Sequence, residues 1–216
     1  MSHHATATLS QHPVFPTSPP IVTNYSILTF ARPPILKRMS VPQKSWQPPQ
    51  KRKLKYCEPL ERIHFDLVGA HASYGVPIAL VTNQGCHQPV AAMVQGAEDL
   101  VCEGLDTLIF RILWPGYEHV DWNRHLSLPA GQITRGKLME HIIDYLFAYF
   151  TTMSATPVNA SRKVWTIGYN PGQWSMENII LCGVYPVHGN VFQADLQLCF
   201  PHQAKVDRGD GQDRLT

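Results

Sequence analysis

His64-Phe-Asp66 and His119-Val-Asp121 repeat a His-x-Asp spacing, and on an extended chain that spacing points both side chains to one face. An imidazole and a carboxylate so placed can ligate a metal or pass a proton. Polar alternation on a solvated strand makes the same pattern, and Asp66, just ahead of Leu67-Val68, can instead cap a turn. Gly131-Gln-Ile-Thr-Arg-Gly136-Lys137 copies the GxxxxGK part of a phosphate loop. That loop needs a hydroxyl after its lysine to hold magnesium, and here the position is Leu138. A weaker role survives, with Arg135 and Lys137 beside the free N–H groups of a helix start as an anion contact. Its plain alternative is two solvated cations, which oppose the helix dipole by only about 0.3–1 kcal/mol each.

The other candidates are contacts. Lys51, Arg52, Lys53 and Lys55 form a basic run that can touch nucleic-acid phosphates or direct a protein to the nucleus, or lie solvated at a domain boundary. Trp114, Tyr117 and Trp122 flank Pro115-Gly116 and are the candidate partner-binding aromatics, although aromatics at strand ends also fill cores. His141 and Asp144 stand one helical turn apart, while His71, His125 and His188 have no partner in the local sequence. There is no GxSxG, HExxH or acid-rich metal loop. Cys57, Cys86, Cys102, Cys182 and Cys199 are widely spread without a CxxC, which fits small buried side chains rather than a disulfide framework or zinc site. No catalytic residue, metal or cofactor is nominated from these patterns.

Charge divides the elements that must position these groups. Residues 1–57 contain eight Lys or Arg and no Asp or Glu, whereas the remaining residues contain ten basic and sixteen acidic side chains. The net +2 of the 216-residue chain therefore hides a basic segment ahead of an acidic body. Nine of the eighteen prolines and no glycine precede Cys57, so 1–57 reads as a disordered, basic, Pro-rich arm. Pro13-Val-Phe-Pro16-Thr-Ser-Pro19 in it offers a PxxP pattern. No run of about 18 apolar residues or secretory leader is present, which points to an intracellular protein, cytoplasmic or nuclear, with no membrane partner.

From Ile63 onward, short apolar runs alternate with Gly and Pro, as in one compact domain. Residues 77–81 read as an edge element and 98–103 as a helical turn or loop. The run 107–114 reads as a strand pairing antiparallel with 119–128, with Val120, Trp122, Leu126 and Leu128 facing inward. Residues 178–185 and 191–200 make a second hairpin. Phe192, Ala194, Leu196, Leu198 and Phe200 share its buried face, and Gln193, Asp195 and Gln197 its wet one. Thr134 caps a helix reaching about residue 150, with Ile133 and Leu138 as a hydrophobic staple. Residues 151–163 read as an exposed loop, 164–168 as a short strand and Asn170-Pro171-Gly172 as a turn.

The landmark order from Ile63 to Leu198 resembles a domain-of-unknown-function family expanded in mushroom-forming fungi. The matching pieces are Asp66-Leu67, Pro89-Val-Ala91, the 108–128 strand pair with its tryptophans, Ile133-Thr134 leading into the helix, and Leu181-Cys-Gly-Val184 with Phe192 to Leu198. That resemblance implies a compact α+β domain, often behind a low-complexity N-terminal region, and no activity or ligand.

The expected architecture is thus an α+β domain at 58–200, with a mainly antiparallel sheet and one principal helix on one face. The arm at 1–57 precedes it and a polar tail at 201–216 follows. The leading expectation is a non-enzymatic interaction module with an unidentified protein partner, tethered by the arm. The alternatives are a small hydrolase or transferase gathering His119, Asp121 and Arg124, and a nucleic-acid-associated regulator acting through Lys51, Arg52, Lys53 and Lys55. Convergence of His64, Asp66, His119 and Asp121 on one cavity separates the enzyme from the module.

Overall fold

The computed structural model describes residues 37–48, 60–84 and 94–200. Contacts divide the chain between residues 34 and 35, and every described residue belongs to the second unit. Its elements are β1 (Arg38–Ser40), β2 (Ile63–His64), β3 (Val76–Pro77), α1 (Ile78–Gln84), β4 (Leu100–Val101), β5 (Thr107–Arg111), β6 (Asn123–Ser127), β7 (Ile133–Thr134), α2 (Arg135–Ser154), β8 (Ile179–His188) and β9 (Val191–Cys199). Short 3-10 segments occupy Ala160–Trp165 and Met176–Asn178.

The main sheet has the order β2-β8-β9-β5-β6, with β3 also on the outer edge of β8 and β1 on β9. β8 and β9 form the expected antiparallel hairpin, and β5 pairs antiparallel with β6. β9 and β5 run parallel through Ile109–Arg111 and Val191–Gln193. The protein is therefore α+β with a mainly antiparallel sheet and one main helix.

Thr134 caps α2 as its sequence position requires, accepting from the Lys137 amide at 3.3 Å. The helix runs on to Ser154 because its buried stripe continues through Phe150 to Met153, so the expected exposed loop starts later than residue 151. Its inner face meets the β5–β6 hairpin through aromatic pairs: Phe110 tilted against Tyr145, and Trp114 and Trp122 edge-on against Phe150 and Tyr149, with centroids 6.0, 5.3 and 5.2 Å apart. Leu108, Phe110, Ile112, Phe192, Ala194, Leu196 and Leu198 share one core with that helix. Two local expectations change form: 78–84 is helical, and 98–103 contains β4, which pairs with β7. Residues 164–168 keep only an isolated bridge, Ile167 to Trp174.

The larger correction concerns the arm. Residues 1–36 and 49–57 lie outside the described residues, but 37–48 is a strap built into the sheet. β1 pairs antiparallel with β9 from Arg38 against Cys199 to Ser40 against Gln197. Val41 is buried, and its amide donates to Leu196 O at 2.9 Å. β5 covers the start of β9 and β1 its end, leaving a gap at Ala194. The Gln43 side chain fills it, donating to Ala194 O at 2.7 Å and accepting from the Leu113 amide at 3.1 Å. Gln193, expected on the wet face, has no solvent exposure. Its amide accepts from Trp46 N at 2.8 Å and donates to Lys44 O at 3.0 Å. The proline-rich segment thus gains order by borrowing amide side chains where its own backbone cannot complete a ladder.

β8 bulges at Cys182, where the register with β9 shifts between Leu181 and Gly183. A Cβ at Gly183 would stand 2.2 Å from Ile63 O and 3.2 Å from His64 Cα, both backbone atoms of β2. Gly183→Ala therefore pries β2 from β8. The expected cost is about 2–3 kcal/mol, read as a lower urea midpoint at unchanged slope. An unchanged midpoint would show that β2 can yield freely.

Candidate functional site

The His-x-Asp pairs do not meet. His64 lies on β2 and is exposed, whereas His119 and Asp121 lie in the β5–β6 connection at the opposite edge of the sheet. Asp66 caps a turn: its two oxygens accept from Ser73 N at 3.0 Å and Gly75 N at 2.8 Å. Asp121 is ion-paired with Arg111, and Arg124 lies over the Trp122 ring at 4.6 Å. His119 is exposed, and the contacts of Asp121 and Arg124 are made to Arg111 and Trp122. Among the described residues no three His, Cys, Asp or Glu side chains come together to hold a metal. Burial pushes the Cys102 and Cys182 thiols up to about 11, which keeps both protonated and poorly nucleophilic near neutral pH.

At the expected anion contact, Arg135 and Lys137 already have partners within the chain. The start of α2 is already satisfied from within: Arg135 N donates to Asp99 O at 2.9 Å, Gly136 N to Ala97 O at 2.8 Å and Lys137 N to Thr134 Oγ1. Arg135 turns back as a brace, donating to His64 O at 2.9 Å and pairing with Asp99 at 3.3 Å. Lys137 pairs with Glu140 at 2.7 Å. The phosphate-loop look-alike is interrupted by β7, so no loop remains to wrap a phosphate. Lys51, Arg52, Lys53 and Lys55 lie outside the described residues.

Trp114, Tyr117 and Trp122 are core residues, with exposures of 0%, 2% and 6%, and present no partner-binding surface. Two of their polar ends serve the interior, while the buried Trp122 Nε1 has no hydrogen-bond partner among the described residues. Trp114 Nε1 donates to Trp165 O at 2.8 Å, and Tyr117 Oη accepts from Ile167 N at 3.1 Å. The reason lies in the type II turn they flank. Pro115 and Gly116 (φ +88°) reverse the chain, closed by Tyr117 N to Trp114 O at 3.0 Å, so both aromatics fall inward onto α2 and the 159–167 segment.

Among the described residues the tyrosine, tryptophan or phenylalanine that faces solvent most openly is Tyr169, 79% exposed, with Val164 nearby in sequence at 69%. Tyr169 borders an open cleft of about 330 Å³ lined by Phe147, Gly168, Asn170, Gln173, Ser175, Met176 and Glu177. Its walls are fixed from several sides. The expected 170–172 turn is present, with Gly172 at φ +84° and Gln173 N donating to Asn170 O at 3.0 Å. Gly168 N donates to Trp174 O at 3.0 Å and Trp174 Nε1 to Val164 O at 2.8 Å. Ser175 and Asn178 complete a capping box beneath the rim. Met176 is buried and Glu177 exposed, so the cleft joins an apolar floor to an acidic lip.

Sequence reasoning passed over Tyr169 because it sits in no periodic apolar pattern. An aromatic immediately before an Asn-Pro-Gly turn, where the chain must reverse at the surface, was the available signal. No protein-family model, curated protein or solved structure was found to match the chain. No described helix is long and apolar enough to cross a membrane.

Proposed function

We propose that this chain is a non-enzymatic protein-interaction module. Its folded unit receives a partner at the Tyr169 cleft, and the basic N-terminal residues serve as a tether. The observation that carries this reading is the exposure of Tyr169 beside a pre-formed cleft, while the side chains suited to chemistry stand at opposite sheet edges or in internal pairs. A tyrosine supplies large contact area at low entropic cost, and such residues dominate interface energetics. The partner chemistry that fits is an apolar side chain for the Phe147–Met176 floor next to a cation for Glu177. The resemblance to the fungal domain family belongs to this proposal, since it implies a compact domain with no assigned activity.

The test is affinity purification with quantitative mass spectrometry of full-length chain, Tyr169→Ser, and a chain lacking residues 1–36. Truncation stops at 36 because 37–48 belongs to the fold. Tyr169→Ser should leave stability within about 0.5 kcal/mol and weaken the partner at least about tenfold. Equal retention by wild type and Tyr169→Ser sinks the cleft assignment. Loss of every partner on removing 1–36 moves the function to the arm, and salt-sensitive retention of nucleic acid favours the regulator reading.

A further inference from the structure

The strap carries a second feature besides its fit to β9. Lys37-Arg-Met-Ser40-Val-Pro42 places cations three and two residues before a serine and a proline two residues after it. Lys37 and Ser40 are both exposed. Kinases discriminate substrates by charge pattern, and an acidic peptide groove selects cations at such positions. We propose that Ser40 is a phosphorylation site for a kinase selective for cations ahead of the acceptor, and that the strap must leave β9 for the transfer to occur.

The chemistry requires a nucleoside triphosphate and the kinase. Ser40 Oγ attacks the γ-phosphorus of bound ATP, an Oγ–P bond forms, and the bond from that phosphorus to the β,γ-bridging oxygen breaks. ADP departs with that electron pair, and the hydroxyl proton passes to a carboxylate base of the kinase.

The need for opening follows from the contacts of the motif. Phe200 N donates to Lys37 O at 3.3 Å and Val41 N to Leu196 O at 2.9 Å, so the stretch bearing Ser40 is held at both ends. Arg38 is already occupied: Nη1 donates to Tyr74 O at 2.7 Å, and the guanidinium lies over the Tyr74 ring at 4.2 Å. A kinase groove cannot read Arg38 until that clamp opens. Farther along, Gln43 and Trp46 close the strap, the latter stacked by Arg111 at 4.5 Å.

Phosphate on Ser40 then opposes reseating. It adds about −1.5 to −2 charge at pH 7. Ser40 stands opposite Gln197, and Arg38 shares its face of β1 as the cation nearest in sequence. An ion pair between that phosphate and Arg38 draws the guanidinium away from Tyr74, so the modification loosens that clamp.

The experiment treats the full-length chain with the catalytic subunit of a cAMP-dependent protein kinase and ATP, locating phosphate by peptide mass spectrometry. Phosphate is expected on Ser40 and absent from that peptide in Ser40→Ala, while Lys37→Ala slows the reaction several-fold. Gln43→Ala lies outside the recognition stretch and should accelerate Ser40 modification about thirtyfold by opening the strap more often. Ile142→Val, a core change away from the strap, should leave that rate unchanged. After modification of the wild-type chain, the Phe200 amide should exchange hydrogen faster. Absence of phosphate from Ser40 in both wild type and Gln43→Ala overturns the site. An unaltered rate in Gln43→Ala, equal acceleration by Ile142→Val, or unchanged Phe200 exchange after modification overturns the gating.

Discussion

Trp114→Ala is expected to lower the unfolding free energy by about 4 kcal/mol, a large share of the roughly 5–15 kcal/mol that holds a domain folded. Trp114 has no exposed surface. Its ring meets Phe150 at 5.3 Å and Trp165 at 6.0 Å, both edge-on. Truncation opens a cavity between α2 and the β5 end and also removes the indole donor from Trp165 O. The two losses compound because an interior carbonyl left without a donor costs about 1–3 kcal/mol by itself. Trp114→Phe separates them, since it keeps most of the volume and loses only the hydrogen bond, and should cost roughly half as much. Urea denaturation followed by circular dichroism reads both values. A Trp114→Ala protein as stable as wild type would place this ring at a surface and return it to partner binding.

The same tryptophan shows where sequence reading reaches its limit. Residues 107–128 read as a hairpin because β-branched and aromatic side chains alternate around Pro115-Gly116, and β5 pairs with β6 accordingly. Periodicity names the inward face but not what covers the other one. Gln193 illustrates this: its alternation with Phe192 and Ala194 is plain, yet its opposite side is closed by the strap. The start of α2 was legible because its signals, Thr134 and the Ile133–Leu138 spacing, sit within five residues. Asp66 was legible as a turn cap for the same reason, its acceptors lying within nine residues of the amides they serve. Gln43 bonds across 151 positions to Ala194, and no local pattern encodes such a pair. The parallel contact of β9 with β5 is equally remote. As for the site, the dispersal of the His-x-Asp groups is a property of strand order, which two short motifs cannot reveal.

A chain begun at residue 58, where composition changes sign, should be less stable than one begun at residue 37 by about 2–3 kcal/mol, or roughly 5–12 °C in Tm. Removal of the strap exposes the seat of Val41, whose burial is worth about 1.5–3 kcal/mol. Ala194 O, Leu113 N and the Gln193 amide meanwhile become open to water, so they regain partners and add little to the loss. Gln43→Ala in the full chain works differently: the strap still covers Ala194 O and Leu113 N, which lose their bridge without gaining solvent. Its expected cost is about 2 kcal/mol for one side chain, nearly that of removing the whole segment. Truncation also removes β1 and so bares the edge of β9 beyond its pairing with β5, including Gln197–Cys199, and an unprotected edge invites pairing with another chain. The 58–216 fragment should therefore show concentration-dependent association by sedimentation, whereas 37–216 should not. Equal Tm values for the two fragments, with both monomeric, would mean that the strap decorates the sheet rather than completing it.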